Sequence, residues 1–236
     1  MFLSLILLSG CIPNTRIDAL AARLTLAEQR LTLAERKLRQ LEEEQPPGRE
    51  RLAAALFLSA KEAYVELDLK TAQSELQKLE QDFQGTEAAE RAKNLTRDLG
   101  TLGTPITELR VEKWLQGSAD RTESTVTLVV FWEIWCPHCI REIPKLQQFY
   151  ETYSDQGLNI VGLTKMTRGA TENEVTSFLK KRHIHYPIAK EHNAEMSSLF
   201  QIVGVPAAAV LKNGEIIWRG HPGRITPDYV EHWLAQ

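Results

Sequence analysis

Cys136 and Cys139 are separated by only two residues, in the run Trp135-Cys136-Pro137-His138-Cys139, directly after the apolar stretch Thr127-Leu128-Val129-Val130-Phe131-Trp132. A strand that feeds a helix with both thiols in its first turn puts Cys136 at the helix N-terminus. Unpaired backbone N–H groups and the helix dipole there favour a thiolate nucleophile. Pro137 suits the first helical position, because its missing N–H would have no partner and its φ is already helical. Cys139 would then reach a mixed disulfide formed on Cys136. The chemistry indicated is thiol–disulfide exchange. Half of a zinc site is the alternative, but structural zinc takes four ligands, usually from a second pair. The one other cysteine is the distant Cys11, and His183, His185, His192, His221 and His232 lack the helical spacing of a ligand pair. No metal and no organic cofactor is implied.

The elements that would position these thiols begin at Thr104, where the pattern becomes alternating strands and helices, as in an α/β layer fold. Strands are predicted near 106–111, 125–132, 158–164, 185–189, 206–211 and 215–219. Helices are predicted near 137–154, 171–182, 193–200 and 226–235. Lys212-Asn213-Gly214-Glu215 is a strong hairpin signal, since Asn-Gly supplies both positive φ angles of a type I′ turn.

Ahead of this region, residues 49–99 read as three helices, near 49–67, 70–83 and 86–99. Ala60, Ala63, Ala72, Ala88, Ala89 and Ala92 alternate with larger apolar residues and permit close helix packing. The stretch resembles one and a half tetratricopeptide repeats, without their usual tryptophan and proline. Because at least three repeats are needed for a solenoid surface, a helical hairpin that spaces or supports the next domain is expected.

Residues 14–45 carry a heptad pattern: Ile17, Leu20, Leu24, Ala27, Leu31, Ala34, Leu38 and Leu41. With Ile17 at position a, the g positions are basic (Arg23, Arg30, Lys37) and the following e positions acidic (Glu28, Glu35, Glu42). That arrangement suits a parallel homo-oligomer through residues 17–44. A single amphipathic helix packed on its own chain is the other reading. Gln45-Pro46-Pro47-Gly48 ends the pattern.

Residues 1–11, Met1-Phe2-Leu3-Ser4-Leu5-Ile6-Leu7-Leu8-Ser9-Gly10-Cys11, are apolar, too few to span a bilayer, and end in small residues as a signal peptide does. Leu8-Ser9-Gly10-Cys11 resembles a bacterial lipobox, although no Lys or Arg precedes the apolar run. The resemblance implies lipidation of Cys11 and a membrane anchor without a membrane-spanning helix. A net charge of −3 gives no sign of nucleic-acid binding, and none is expected.

Residues 104–236 resemble the thioredoxin-fold redoxins of the TlpA/ResA type. The resemblance is carried by Val130-Phe131-Trp132-Glu133-Ile134-Trp135-Cys136-Pro137-His138-Cys139, by Pro144 within the first helix, and by Gly204-Val205-Pro206 before the last hairpin. The fold it implies is an α/β thioredoxin-like domain, a central mixed sheet flanked by helices, here preceded by an all-α region of coiled coil plus helical hairpin. It also implies that Cys136 is the exposed attacking thiol and Cys139 the buried resolving thiol, with a cis Val205–Pro206 bond offering backbone to a substrate peptide. Glu142 matches an acid that could take the proton from Cys139; a solvated surface glutamate is the other reading. Val130 stands where thioredoxins carry a buried aspartate, which leaves Glu142 or Glu133 for any such role. Trp135, Pro137 and His138 would tune the pair.

The function expected is a lipid-anchored, extracytoplasmic thiol–disulfide oxidoreductase of the bacterial cell envelope, working on protein thiols and disulfides with a redox partner protein. Cys-Pro-His-Cys is the pair of DsbA-type oxidases, while anchored TlpA/ResA-like proteins are often reductants, so direction stays open. The alternative is a scaffold or assembly protein whose thioredoxin-like domain docks partners.

Overall fold

The computed structural model describes residues 15–44, 47–118 and 126–235, so the lipobox-like segment with Cys11 lies outside the described residues. The chain divides into two compact units, Met1–Leu52 and Ala53–Gln236. In the first, α1 is one helix over Thr15–Glu44, with Leu20, Leu24 and Leu31 exposed. No helix among the described residues is long and apolar enough to cross a membrane.

The second unit begins within α2 (Pro47–Val65) and continues through α3 (Leu69–Asp82) and α4 (Glu87–Gly100). Asp68 and Thr86 cap α3 and α4 by accepting the N–H groups of Thr71 and Ala89. Ala53, Ala60, Ala72, Ala88 and Ala92 are buried, so the helices approach closely through small side chains, with Leu76, Leu79, Leu95 and Leu99 filling the space between.

Next comes a six-stranded mixed sheet in the order β1-β4-β3-β2-β5-β6. Its strands are β1 (Val111–Gln116), β2 (Val126–Phe131), β3 (Leu158–Thr164), β4 (Ile188–Glu191), β5 (Ala207–Lys212) and β6 (Glu215–Gly220). β2, β3 and β4 are parallel; β1 runs antiparallel to β4, and β5 antiparallel to both β2 and β6. β2 is central and wholly buried, which is why it reads as a continuous apolar run. Its side chains divide between two cores: Val126, Leu128 and Val130 with the helices named above and with α5 (Pro137–Tyr153), α6 (Glu172–Lys181) and α8 (Pro227–Ala235), and Val129 and Phe131 with α7 (Glu195–Leu199). The end of β2 leads directly to the two thiols at the start of α5.

Two strand boundaries differ from the sequence expectation. The stretch expected as the first strand instead crosses the sheet: Ile106 N–H bonds to the Gly214 carbonyl beside β6, and Ile106 is buried in the second core. The strand itself forms five residues later, at the opposite edge, where Glu112 and Lys113 stay exposed. β4 starts at Ile188 and not at His185, because Pro187 has no N–H to give the ladder, though its carbonyl accepts Gly162 N–H.

Candidate redox site

Cys136 is the N-cap of α5. Its backbone is extended (φ −88°, ψ 110°), and its sulfur accepts the Cys139 N–H at 3.4 Å. One of the otherwise unpaired amides of the first turn therefore points at the sulfur. The Cys136 thiol also reaches the Val205 carbonyl at 3.7 Å, and the Val205–Pro206 peptide bond is cis. Both cysteines are free thiols, so the pair is a dithiol. The expected contrast between an exposed and a buried thiol is small: Cys136 is 4% exposed and Cys139 1%. Hydrogen bonding separates them more than exposure does. Cys139 lies against the core with its thiol held well above the ordinary range, first by burial and then by its hydrogen bond with Cys136.

Glu133, only 2% exposed, lies three residues before the nucleophile. Its two carboxylate oxygens accept the N–H groups of Lys165 and Thr167, each at 3.1 Å, and its backbone carbonyl accepts that of Cys136. The loop after β3 is thus tied to the active segment, although Met166 (φ 57°), Arg168 (φ 58°) and Gly169 (φ 76°) are all left-handed. For the two non-glycine residues that conformation is unfavourable by about 1 kcal/mol or more each. Trp135 completes the tie: its indole N–H donates to Thr167 Oγ1 at 3.0 Å, and the Arg168 guanidinium lies 3.6 Å above its ring.

His138 and Glu142 sit on the other flank. Arg141 Nη2 is 2.9 Å from His138 Nδ1; a guanidinium only donates, so Nδ1 accepts and Nε2 carries the proton. The Glu142 carboxylate is 3.6 Å from Arg141 and adjoins the turn at His221–Arg224, whereas the carboxylate whose charge bears on Cys139 is that of Glu133. The imidazole of His221 is held below its usual pKa, first by burial, with Glu142 opposing and Arg224, His138 and Arg141 reinforcing the shift. Sequence reasoning named Glu133 only as a substitute acid and missed Thr167 and Arg168, whose loop has no motif. No group of three or more His, Cys, Asp or Glu side chains among the described residues is arranged to hold a metal.

This sheet order with an N-capping cysteine can be compared with known proteins. The AhpC/TSA family model matches residues 105–219. A thioredoxin-like protein, solved in solution in its oxidised form, superposes with a TM-score of 0.50 and 26% identity over 56% of this chain and 96% of its own. This is a thioredoxin-fold domain. Its sequence is homologous to sporulation thiol-disulfide oxidoreductase A of Bacillus subtilis (strain 168), 24% identical over 110 residues, covering 47% of this chain and 67% of that one. Thiol-disulfide oxidoreductase ResA of Oceanobacillus iheyensis is 30% identical over 113 residues, or 48% of this chain and 57% of that protein. The chain thus spans between 57% and 67% of the length of these two relatives.

Proposed function

We propose that this protein is a thiol–disulfide oxidoreductase acting on protein thiols and disulfides. The observation that carries the reading is Cys136, whose sulfur caps α5 and lies beside the Val205 carbonyl, with Cys139 in the same helical turn. In the reducing direction the Cys136 thiolate attacks one sulfur of a substrate disulfide, that bond breaks, and a mixed disulfide remains while the second substrate sulfur leaves as a thiolate. Cys139 loses its proton and attacks the Cys136 sulfur, which frees the substrate as a dithiol and leaves the enzyme as a disulfide. Glu142 or the buried Glu133 takes the Cys139 proton. A second, reducing protein returns the pair to the dithiol, and every step reverses for an oxidase. Val205 and Pro206 offer the substrate backbone a place to lie beside Cys136. Trp135, Pro137 and His138 tune the thiolate.

Titration of the Cys136/Cys139 pair in glutathione buffers, read by Trp135 fluorescence, tests this directly. A two-electron transition near about −270 mV makes the protein a reductase, and one near about −120 mV an oxidase or isomerase. Absence of any such transition removes the redox reading in favour of a scaffold.

The same reading places the protein in the bacterial cell envelope, anchored by lipid on Cys11, on the strength of Leu8-Ser9-Gly10-Cys11. Release of a Cys11→Ser variant from the membrane fraction is the expected result. Parallel pairing through residues 17–44 is supported by the exposed Leu20, Leu24 and Leu31 on α1. Sedimentation of the whole chain as a monomer at micromolar concentration contradicts it.

A further inference from the structure

The segment bearing Cys136 carries a guanidinium on each flank. Before the nucleophile, Arg168 lies 3.6 Å over the ring of Trp135; after it, Arg141 lies 2.9 Å from His138. Arg168 is held in place by construction. Its loop keeps two non-glycine residues left-handed and is fixed by both oxygens of the buried Glu133 and by the Trp135 indole, so the charge stays over Trp135, the residue before Cys136. Trp135 is 36% exposed, which leaves the stacked pair open to a partner. Arg168 forms no ion pair among the described residues, and its charge is available.

Two more cationic side chains lie on this flank. Lys145 donates to the Gly223 carbonyl at 3.4 Å, and Arg224 belongs to that same turn. The two acids that flank the thiols among the described residues are engaged: Glu133 holds the loop, and Glu142, its side chain 13% exposed, pairs with Arg141. A cationic rim stands out on a chain whose net charge is −3. A peptide lying beside Val205 with its cysteine at Cys136 would bring its neighbouring side chains to the two arginines.

We propose that Arg168 and Arg141 make the surface around Cys136 a docking site for acidic protein segments, selecting substrates whose reactive cysteine is flanked by Asp or Glu. This rests on the thiol-exchange reading and narrows its substrate class. Charge on the rim acts mainly on encounter and selection, with a modest contribution from each exposed pair.

The probes are two peptides, each with one cysteine activated as a mixed disulfide with thionitrobenzoate, flanked by glutamates in one and lysines in the other. A full-length Cys139→Ser variant attacks the probe through Cys136: the probe S–S bond breaks, thionitrobenzoate anion leaves and is counted by its absorbance, and the peptide stays on Cys136. Each rate is divided by that of the same peptide with an uncharged thiol, which removes intrinsic reactivity. At low salt the glutamate peptide is expected to react faster by about tenfold. That ratio should shrink toward one as ionic strength rises from about 0.01 M to about 1 M, where the Debye length falls from about 30 Å to about 3 Å. It should also shrink when Arg168→Gln and Arg141→Gln are introduced together. Equal rates for the two peptides, a preference for lysine, or a glutamate preference insensitive to salt overturns the proposal while leaving thiol exchange intact. If an uncharged small disulfide also fails to react, the thiol-exchange reading itself falls, and this proposal with it.

Discussion

The hydroxyl of Tyr64 on α2 donates to the backbone carbonyl of Arg219 on β6 at 2.8 Å, joining residues 155 apart. Tyr64 also stacks on Trp218, and the buried Arg219 guanidinium pairs with Asp98 of α4 while donating to the carbonyls of Phe200 (2.9 Å) and Gln201 (2.8 Å). Helices and sheet of the second unit therefore share one core, and the helices support the redox domain directly. Tyr64→Phe keeps the ring but strands a buried carbonyl, so stability should fall by about 1–3 kcal/mol. Urea unfolding should show a lower midpoint at unchanged slope. An unaltered midpoint would mean that the hydroxyl contributes nothing to the join.

Gly220 is where that join is tightest. A Cβ there would lie 2.1 Å from the Tyr64 hydroxyl and 2.9 Å from the Trp218 ring, so Gly220→Ala should destabilise by about 1–3 kcal/mol. Since the closest clash is with the hydroxyl, Tyr64→Phe in the same chain should recover part of the loss. Strict additivity of the two changes would refute the contact as the cause.

Glu133→Gln places an amide NH₂ where an oxygen accepts a backbone N–H, leaving Lys165 or Thr167 N–H without a partner. We expect a loss of about 1–3 kcal/mol. Trypsin should then cleave after Lys165 or Arg168 more readily, because the left-handed loop is no longer held. Wild-type resistance at both bonds would show that Trp135 and Thr167 suffice to hold it.

Cys139 has a raised pKa in the fold, so its contribution to stability is complete below the ordinary thiol range. That contribution is lost as pH rises toward about 12, because the unfolded chain releases the proton first. Between about pH 8 and pH 10, reduced protein should lose stability by up to about 1.4 kcal/mol per pH unit from this group. A Cys139→Ala variant should lack that slope. Iodoacetamide should also leave Cys139 almost unmodified at pH 9 in a Cys136→Ser variant; rapid labelling there would contradict the burial.

Much of this was written locally in the chain. The apolar run 127–132, the proline after Cys136 and the Asn213-Gly214 pair each encode their element within a few residues, so β2, the start of α5 and the last hairpin were legible in advance. The three helices of residues 49–99 are legible to within two residues at each end, from the alternation of alanines with larger apolar residues. Tertiary structure alone decided which side of the sheet Ile106 would close and how little the two thiols differ in exposure. It also brought Glu133 to Lys165 and Thr167 across 32 and 34 residues, and with them Arg168 to Trp135. Periodicity, capping and turn chemistry act over single turns and can be read in order. Burial of a carboxylate among backbone amides from another loop depends on how β2 and β3 lie side by side, and that exists only once the sheet has formed.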